Sequence, residues 1–156
     1  MSSLPHISAE LKYSRDFNRY GLSFHHMGLG VKDPAAATSF LSALGYAVEP
    51  LIHDPLQNVR LTMAYHPVMP SVEIICPRTG AGPLDRLLEV HPDGIVYHLC
   101  FVTADLDASL DLMEQEREFR VHCISDPKPA VLFDMRKVSF YMLSGFGVIE
   151  IIEDQP

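Results

Sequence analysis

The sequence predicts an α+β fold made of two tandem β-α-β-β-β modules, and three observations carry that prediction. Residues 26–33 read HMGLGVKD and residues 98–105 read HLCFVTAD, each a His opening an apolar stretch with an Asp seven positions later. A helix-like segment follows each Asp. Two further pairs then recur in order: VRLTMA at 59–64 resembles VSFYML at 138–143, and VEII at 72–75 resembles IEII at 149–152.

Residues 1–20 show no clear period and are expected to be an N-terminal extension that packs on the body of the protein or on a second subunit. The first module, residues 21–81, opens on the strand beginning near His26. Asp33 is placed to cap a helix over PAAATSFLSALG, with Pro34 at a favoured opening position and Gly45 as its stop. Ala36, Phe40 and Leu44 fall at helical spacing and are expected to form its apolar face. The strands that follow are rich in Val, Ile and Tyr and are separated by breakers such as Pro67 and Pro70. Residues 82–94, GPLDRLLEVHPDG, read as a linker with a short helix whose Leu84, Leu87 and Leu88 share a face. The second module, residues 95–156, repeats the pattern: Asp105 caps a helix bearing Leu106, Leu110 and Met113 on one side, and the final strands turn at Gly145 and Gly147.

A length of 156 residues suits one compact body, and an apolar share of 47% with 21% charged residues is that of a folded protein. The formal charge of -8 disfavours nucleic acid and anionic membranes as partners, although a local group such as Arg60, Arg136 and Lys137 could still meet an anionic small molecule. The opening MSSLPHISAELKYSRDFNRYG has no apolar core of signal-peptide length and no later run approaches a membrane span, so a cytoplasmic protein is expected. Cys76, Cys100 and Cys123 lack paired spacing and read as reduced, mostly buried thiols.

The repeat bears directly on chemistry. His26 matches His98 and Glu73 matches Glu150, all inside apolar strand segments where a lone charge is costly to bury. One shared divalent metal ion would satisfy all four. Two imidazoles and two carboxylates suit Zn, Ni, Co, Mn or Fe(II), and an octahedral ion would keep two open positions for substrate oxygen, acting as a Lewis acid on an enolate. His25 is the obvious rival to His26, but strict strand alternation points it to the opposite face and only His26 is in register with His98. Glu153 is set aside in the same way. His6, His53, His66, His91 and His122 have no repeat partner and are read as surface or ordinary structural residues.

With those residues in view, HHMGLGVKD, YHLCFVTADLDAS, SVEIICP and GFGVIEIIE together resemble the vicinal oxygen chelate superfamily over about residues 22–154, nearest its methylmalonyl-CoA epimerase-like glyoxalase group. The superfamily includes glyoxalase I, ring-cleaving dioxygenases and bleomycin-type resistance proteins. The resemblance implies one curved, cup-shaped mixed sheet around a divalent ion, with ligands at His26, Glu73, His98 and Glu150, and often a homodimer. The quartet is glyoxalase-like, because epimerases usually have Gln where Glu73 stands; the surrounding motifs, including DPLQNVR at 54–60, are epimerase-like. Where epimerases place a catalytic Glu, this sequence puts Leu61, and DPKPAVLFDMRKV at 126–138 replaces their Gly-rich segment.

The implied activity is a metal-dependent isomerase or lyase that abstracts a proton next to a carbonyl, with Glu150 or Glu73 as the base and an acyl thioester as the most concrete small-molecule substrate. Gln57 and Arg60 are the candidate substrate-binding residues, whereas Tyr97 and Tyr141 read as core aromatics. The competing readings are a metal-free antibiotic-binding protein and an Fe(II) ring-cleaving dioxygenase. Those dioxygenases use only one carboxylate, so a second would occupy a position needed by substrate or oxygen.

Overall fold

The computed structural model describes residues 18–154. Most of the expected N-terminal extension, His6 included, lies outside the described residues. Its end is seen packing on the second half of the chain: Tyr20 donates its hydroxyl to Glu116 Oε1 at 2.8 Å, and its carbonyl accepts from Ser109 Oγ at 2.8 Å.

Nine strands form one open, curved mixed sheet. In chain order the elements are β1 (Ser23–Gly30), α1 (Ala35–Ala43), β2 (Ala47–Val48), β3 (Ile52–Asp54), β4 (Val59–Tyr65), β5 (Val72–Pro77), α2 (Asp85–Val90), β6 (Ile95–Thr103), α3 (Leu106–Glu114), β7 (Val121–Pro129), β8 (Lys137–Leu143) and β9 (Gly147–Glu153). The strand order is β2-β4-β5-β1-β6-β9-β8-β7, with β3 also paired to β4. The repeat is visible in the pairing. β1 runs parallel to β5 as β6 runs parallel to β9, and the two halves meet where β1 and β6 pair antiparallel.

Helices α1 and α3 cover the outer face of the sheet, and α2 packs at the margin of the inner face, which holds the site. On β5, Val72, Ile74 and Cys76 pack outward with Leu41 and Tyr46, while Ile75 faces inward with Leu61, Leu84 and Leu88. With both faces covered, β5 is apolar throughout except at Glu73. On the far side, Ile149 and Ile151 pack with Met113, supported by Leu106 and Leu110, the face read for α3.

Asp105 caps α3 as expected, accepting from Ala108 N at 2.9 Å. The first helix differs. Pro34 takes the cap position, and Asp33 Oδ1 instead accepts from Ala35 N at 2.8 Å. Its packing face is also corrected: Leu41 is buried with Ala37 against it, whereas Phe40 and Leu44 are 65% and 46% exposed. A short helix that is apolar nearly all round carries little directional signal, so tertiary contact decides which stripe is covered. Gly45 does end the helix, at φ +95°.

Candidate metal centre

Four strands each deliver one side chain to the inner face: His26 from β1, Glu73 from β5, His98 from β6 and Glu150 from β9. Register explains why they converge. Gly28 pairs with Glu73 on one side and His98 on the other, while Cys100 pairs with His26 on one side and Glu150 on the other. The ligand candidates thus lie in two adjacent rows, with the small residues Gly28 and Cys100 between them making room for the rings.

All four side chains are buried. His26 Nε2 lies 3.3 Å from both Glu73 Oε2 and Glu150 Oε2, His98 Nε2 lies 3.6 and 3.0 Å from the same atoms, and the two Nε2 atoms are 3.5 Å apart. A metal–ligand bond of about 2.1 Å would separate neighbouring ligand atoms by about 3.0 Å at a right angle and about 3.4 Å at the tetrahedral angle. The observed spacings fit that scale. Although His98 Nε2 is close, no hydrogen bond of acceptable geometry reaches Glu150 Oε2, which is fully buried. A buried carboxylate oxygen without a donor, facing two imidazole nitrogens, is the environment a cation completes.

These groups also hold one another's charge. Burial works against an imidazolium at His26, but the close contacts with the Glu150 and Glu73 carboxylates outweigh it and raise its pKa to about 9. Burial likewise works against the Glu150 carboxylate, and the contacts with His26 and His98 overcome that and lower its pKa to about 2. Burial, followed by the two nearby carboxylates, pushes the Tyr97 phenol well up.

Two irregularities in the β1–β6 pairing shape the surroundings. The register slips between Phe24 and His26 and again between Gly28 and Leu29, which leaves His25 and Tyr97 as the extra residues, each just before a site His. A bulged residue does not obey strand alternation, and the expectation that His25 points away from His26 is therefore corrected. His25 Nδ1 lies 2.8 Å from His26 Nδ1. Tyr97 turns into the cavity and sets its ring edge-on to His98, with centroids 4.6 Å apart. Phe133 stacks on His26 at 5.5 Å, and Phe140 meets His98 edge-on at 5.5 Å. Phe133 comes from the 126–138 segment, whose part in the site no local pattern announces.

A cavity of about 410 Å³ opens from the carboxylates. Glu73 and Glu150 line it, whereas His26 and His98 are not among its lining residues. Most of its wall is apolar, including Leu61, Ile75, Val138 and Phe140, and Lys128 is the only cation among the lining residues. Gln57 is in the wall. It is held there by a turn built on the buried Asp54, whose Oδ1 accepts from Leu56 N at 2.9 Å and Gln57 N at 3.1 Å. Arg60 is not in the wall: Val59 and Leu61 face the cavity, so the residue between them faces away, and its Nε donates to Pro77 O at 3.1 Å. Tyr141 is buried in the core beneath α3. Cys76 and Cys100 are buried and Cys123 is exposed.

Comparison with known proteins follows the geometry. A family model described as the Glyoxalase/Bleomycin resistance protein/Dioxygenase superfamily matches residues 25–140. No curated protein sequence matches the chain. Among solved structures, a methylmalonyl-CoA epimerase from Mycobacterium tuberculosis is 20% identical, covers 87% of this chain and 89% of its own, and superposes with a TM-score of 0.66. A hypothetical protein from Bacillus halodurans is 14% identical over 86% of this chain and 96% of its own, with a TM-score of 0.70. A variant of the Streptomyces coelicolor methylmalonyl-CoA epimerase, in complex with 2-nitronate-propionyl-CoA, is 22% identical over 85% and 94%, with a TM-score of 0.64. At these identities the likeness is one of fold.

Proposed function

Because the chain belongs to the glyoxalase/bleomycin resistance protein/dioxygenase superfamily, we propose that it is a divalent-metal-dependent isomerase or lyase that removes a proton from carbon next to a carbonyl, methylmalonyl-CoA epimerase-like or glyoxalase I-like in its reaction. The observation that carries this reading is the convergence of His26, Glu73, His98 and Glu150 within 4.8 Å of one another, buried, at the floor of a cavity. A divalent ion held there supplies Lewis acidity to a carbonyl oxygen and stabilises the charge that develops on it.

The proton acceptor comes from the same quartet. Glu73 and Glu150 are the only carboxylates lining the cavity, and Leu61 is a buried part of its wall. Either can serve as the base that takes a proton from a substrate carbon. The apolar walls exclude water from the reacting carbon, and Gln57 and Lys128 offer polar contacts to the rest of the substrate. An acyl thioester is the most concrete substrate, in keeping with the ligands named for methylmalonyl-CoA epimerase structures, 2-nitronate-propionyl-CoA and methylmalonyl-CoA. A metal-free binding protein is the weaker reading, since it gives no reason to bury two carboxylates against two imidazoles.

Elemental analysis of the purified protein alongside His98→Ala and Glu150→Ala tests the site; full metal content in both variants would exclude it. Deuterium exchange at the substrate α-carbon tests the reaction. If metal-loaded protein gives none across a panel of acyl thioesters and hemithioacetals, the proposed chemistry is wrong even if the metal is present.

A further inference from the structure

We infer that His25 is a positioning residue for His26: its Nδ1 accepts the His26 Nδ1–H, so that His26 Nε2 is left unprotonated and aimed at the ion. The inference rests on the metal reading above and goes beyond it. A neutral imidazole carries one N–H. If Nε2 is to donate its lone pair, the hydrogen must sit on Nδ1, and a buried N–H needs an acceptor. His25 Nδ1, at 2.8 Å, is the hydrogen-bond partner at that position.

The backbone is arranged to make this contact. Without the slip in register between Phe24 and His26, His25 would project to the other face of the sheet. The bulge turns its ring back, edge-on to His26 at 77° and edge-on to Phe133 at 88°, while Phe133 stacks on His26 at 23°. Three rings thus fix the direction of the bond. With Nδ1 accepting, the hydrogen of His25 itself lies on Nε2.

The second half of the chain lacks this device. Its bulge places Tyr97 at the position related to His25 by the repeat, and Tyr97 packs against the His98 ring without bonding to it. His98 Nδ1 is buried with no hydrogen-bond partner. The two imidazoles are therefore inequivalent: His26 has a partner at its far nitrogen, and His98 has none there. Partners of this kind raise the basicity and fix the orientation of a ligating His, and their loss typically costs about 10- to 100-fold in metal affinity.

Two full-length variants separate the acceptor from the ring. His25→Phe keeps an aromatic ring against Phe133 and removes the acceptor; His25→Asn keeps an acceptor oxygen near the position of Nδ1 and removes the ring. Zn(II) affinity by competition with a chelating indicator is expected to fall about 10- to 100-fold in His25→Phe and to recover most of that in His25→Asn, with the thermal midpoint of both chelator-treated variants close to that of the unmodified protein. Equal loss in both variants, or none in His25→Phe, overturns the inference and leaves the metal reading intact. If the unmodified protein binds no Zn(II), the metal reading itself fails. Should His25→Phe not fold, histidine-selective ¹⁵N NMR of the unmodified Zn-loaded protein decides: a protonated His26 Nδ1 is expected, and a protonated Nε2 overturns the proposal.

Discussion

Gly28 sits opposite His98 in the β1–β6 pair, and the imidazole lies in the space that a side chain at Gly28 would occupy; a Cβ added there would overlap the ring. The backbone of Gly28 needs no special dihedral. It is the absent methyl group that matters, because the His98 ring occupies that space with Nε2 beside the carboxylates.

Gly28→Ala should therefore displace His98 rather than merely crowd it. The expected outcome is a loss of metal affinity of at least tenfold, together with destabilisation of about 1–3 kcal/mol from overpacking. Metal content per mole and chemical denaturation of the metal-free variant check the two effects separately. Retention of full affinity would mean that the ring does not need that space.

Stability of the metal-free protein should depend on pH on both sides. His26 is raised from 6.5 to about 9, so its contribution is complete below 6.5 and is lost as pH climbs through 9. Glu150 is lowered from 4.5 to about 2, so its contribution is complete above 4.5 and is lost as pH falls through 2. Both shifts describe the same contacts and count once, at up to about 3 kcal/mol. Thermal midpoints of chelator-treated protein should be highest between these limits, and in His26→Gln the decline between 6.5 and 9 should shrink.

Asp54 ties the Gln57 turn to the rest of the cavity wall, accepting from two turn amides and, at 3.4 Å, from Val131 N. Asp54→Ala leaves those donors without an acceptor and is expected to cost about 2–3 kcal/mol. Asp54→Asn keeps one acceptor oxygen and should cost about half as much. Urea unfolding distinguishes them, and equal losses would show that the carboxylate's bonds are not the source of the effect.

In α1 the contrast between neighbours is sharp enough to measure. Leu41→Ala should cost about 2–4 kcal/mol and Phe40→Ala less than about 0.5 kcal/mol, since one side chain is 7% and the other 65% exposed. A large loss in the Phe40 variant would place the helix in a different rotation about its axis.

Much of the site is legible in the sequence because buried charge is conspicuous. Glu73 and Glu150 interrupt apolar runs within their strands, the repeat pairs each with a His, and the observed register brings the four together. What the sequence hides has two physical sources. One is the bulge: alternation assigns His25 and Tyr97 to the wrong face because an extra residue in one strand resets the parity, and nothing local marks the slip. A ring residue immediately before each site His, His25 before His26 and Tyr97 before His98, is the only trace. The other is tertiary contact. Phe133 reaches His26 from more than a hundred residues away in sequence, and the choice of Leu41 over Phe40 is made by what α1 lies against. Arg60 is a simpler case, since the alternation that fails at His25 holds on β4 and would have turned it away from the cavity.

The cavity reaches the quartet through its two carboxylates, and so an ion bound there and a substrate would share that approach. Order of traffic follows from that alone. An ion held by the quartet would have to be seated before a substrate arrived, and a substrate in place would stand between that ion and any competing chelator. Occupancy of the pocket would then act as a lock on the ion, slowing its escape without adding a single bond to it.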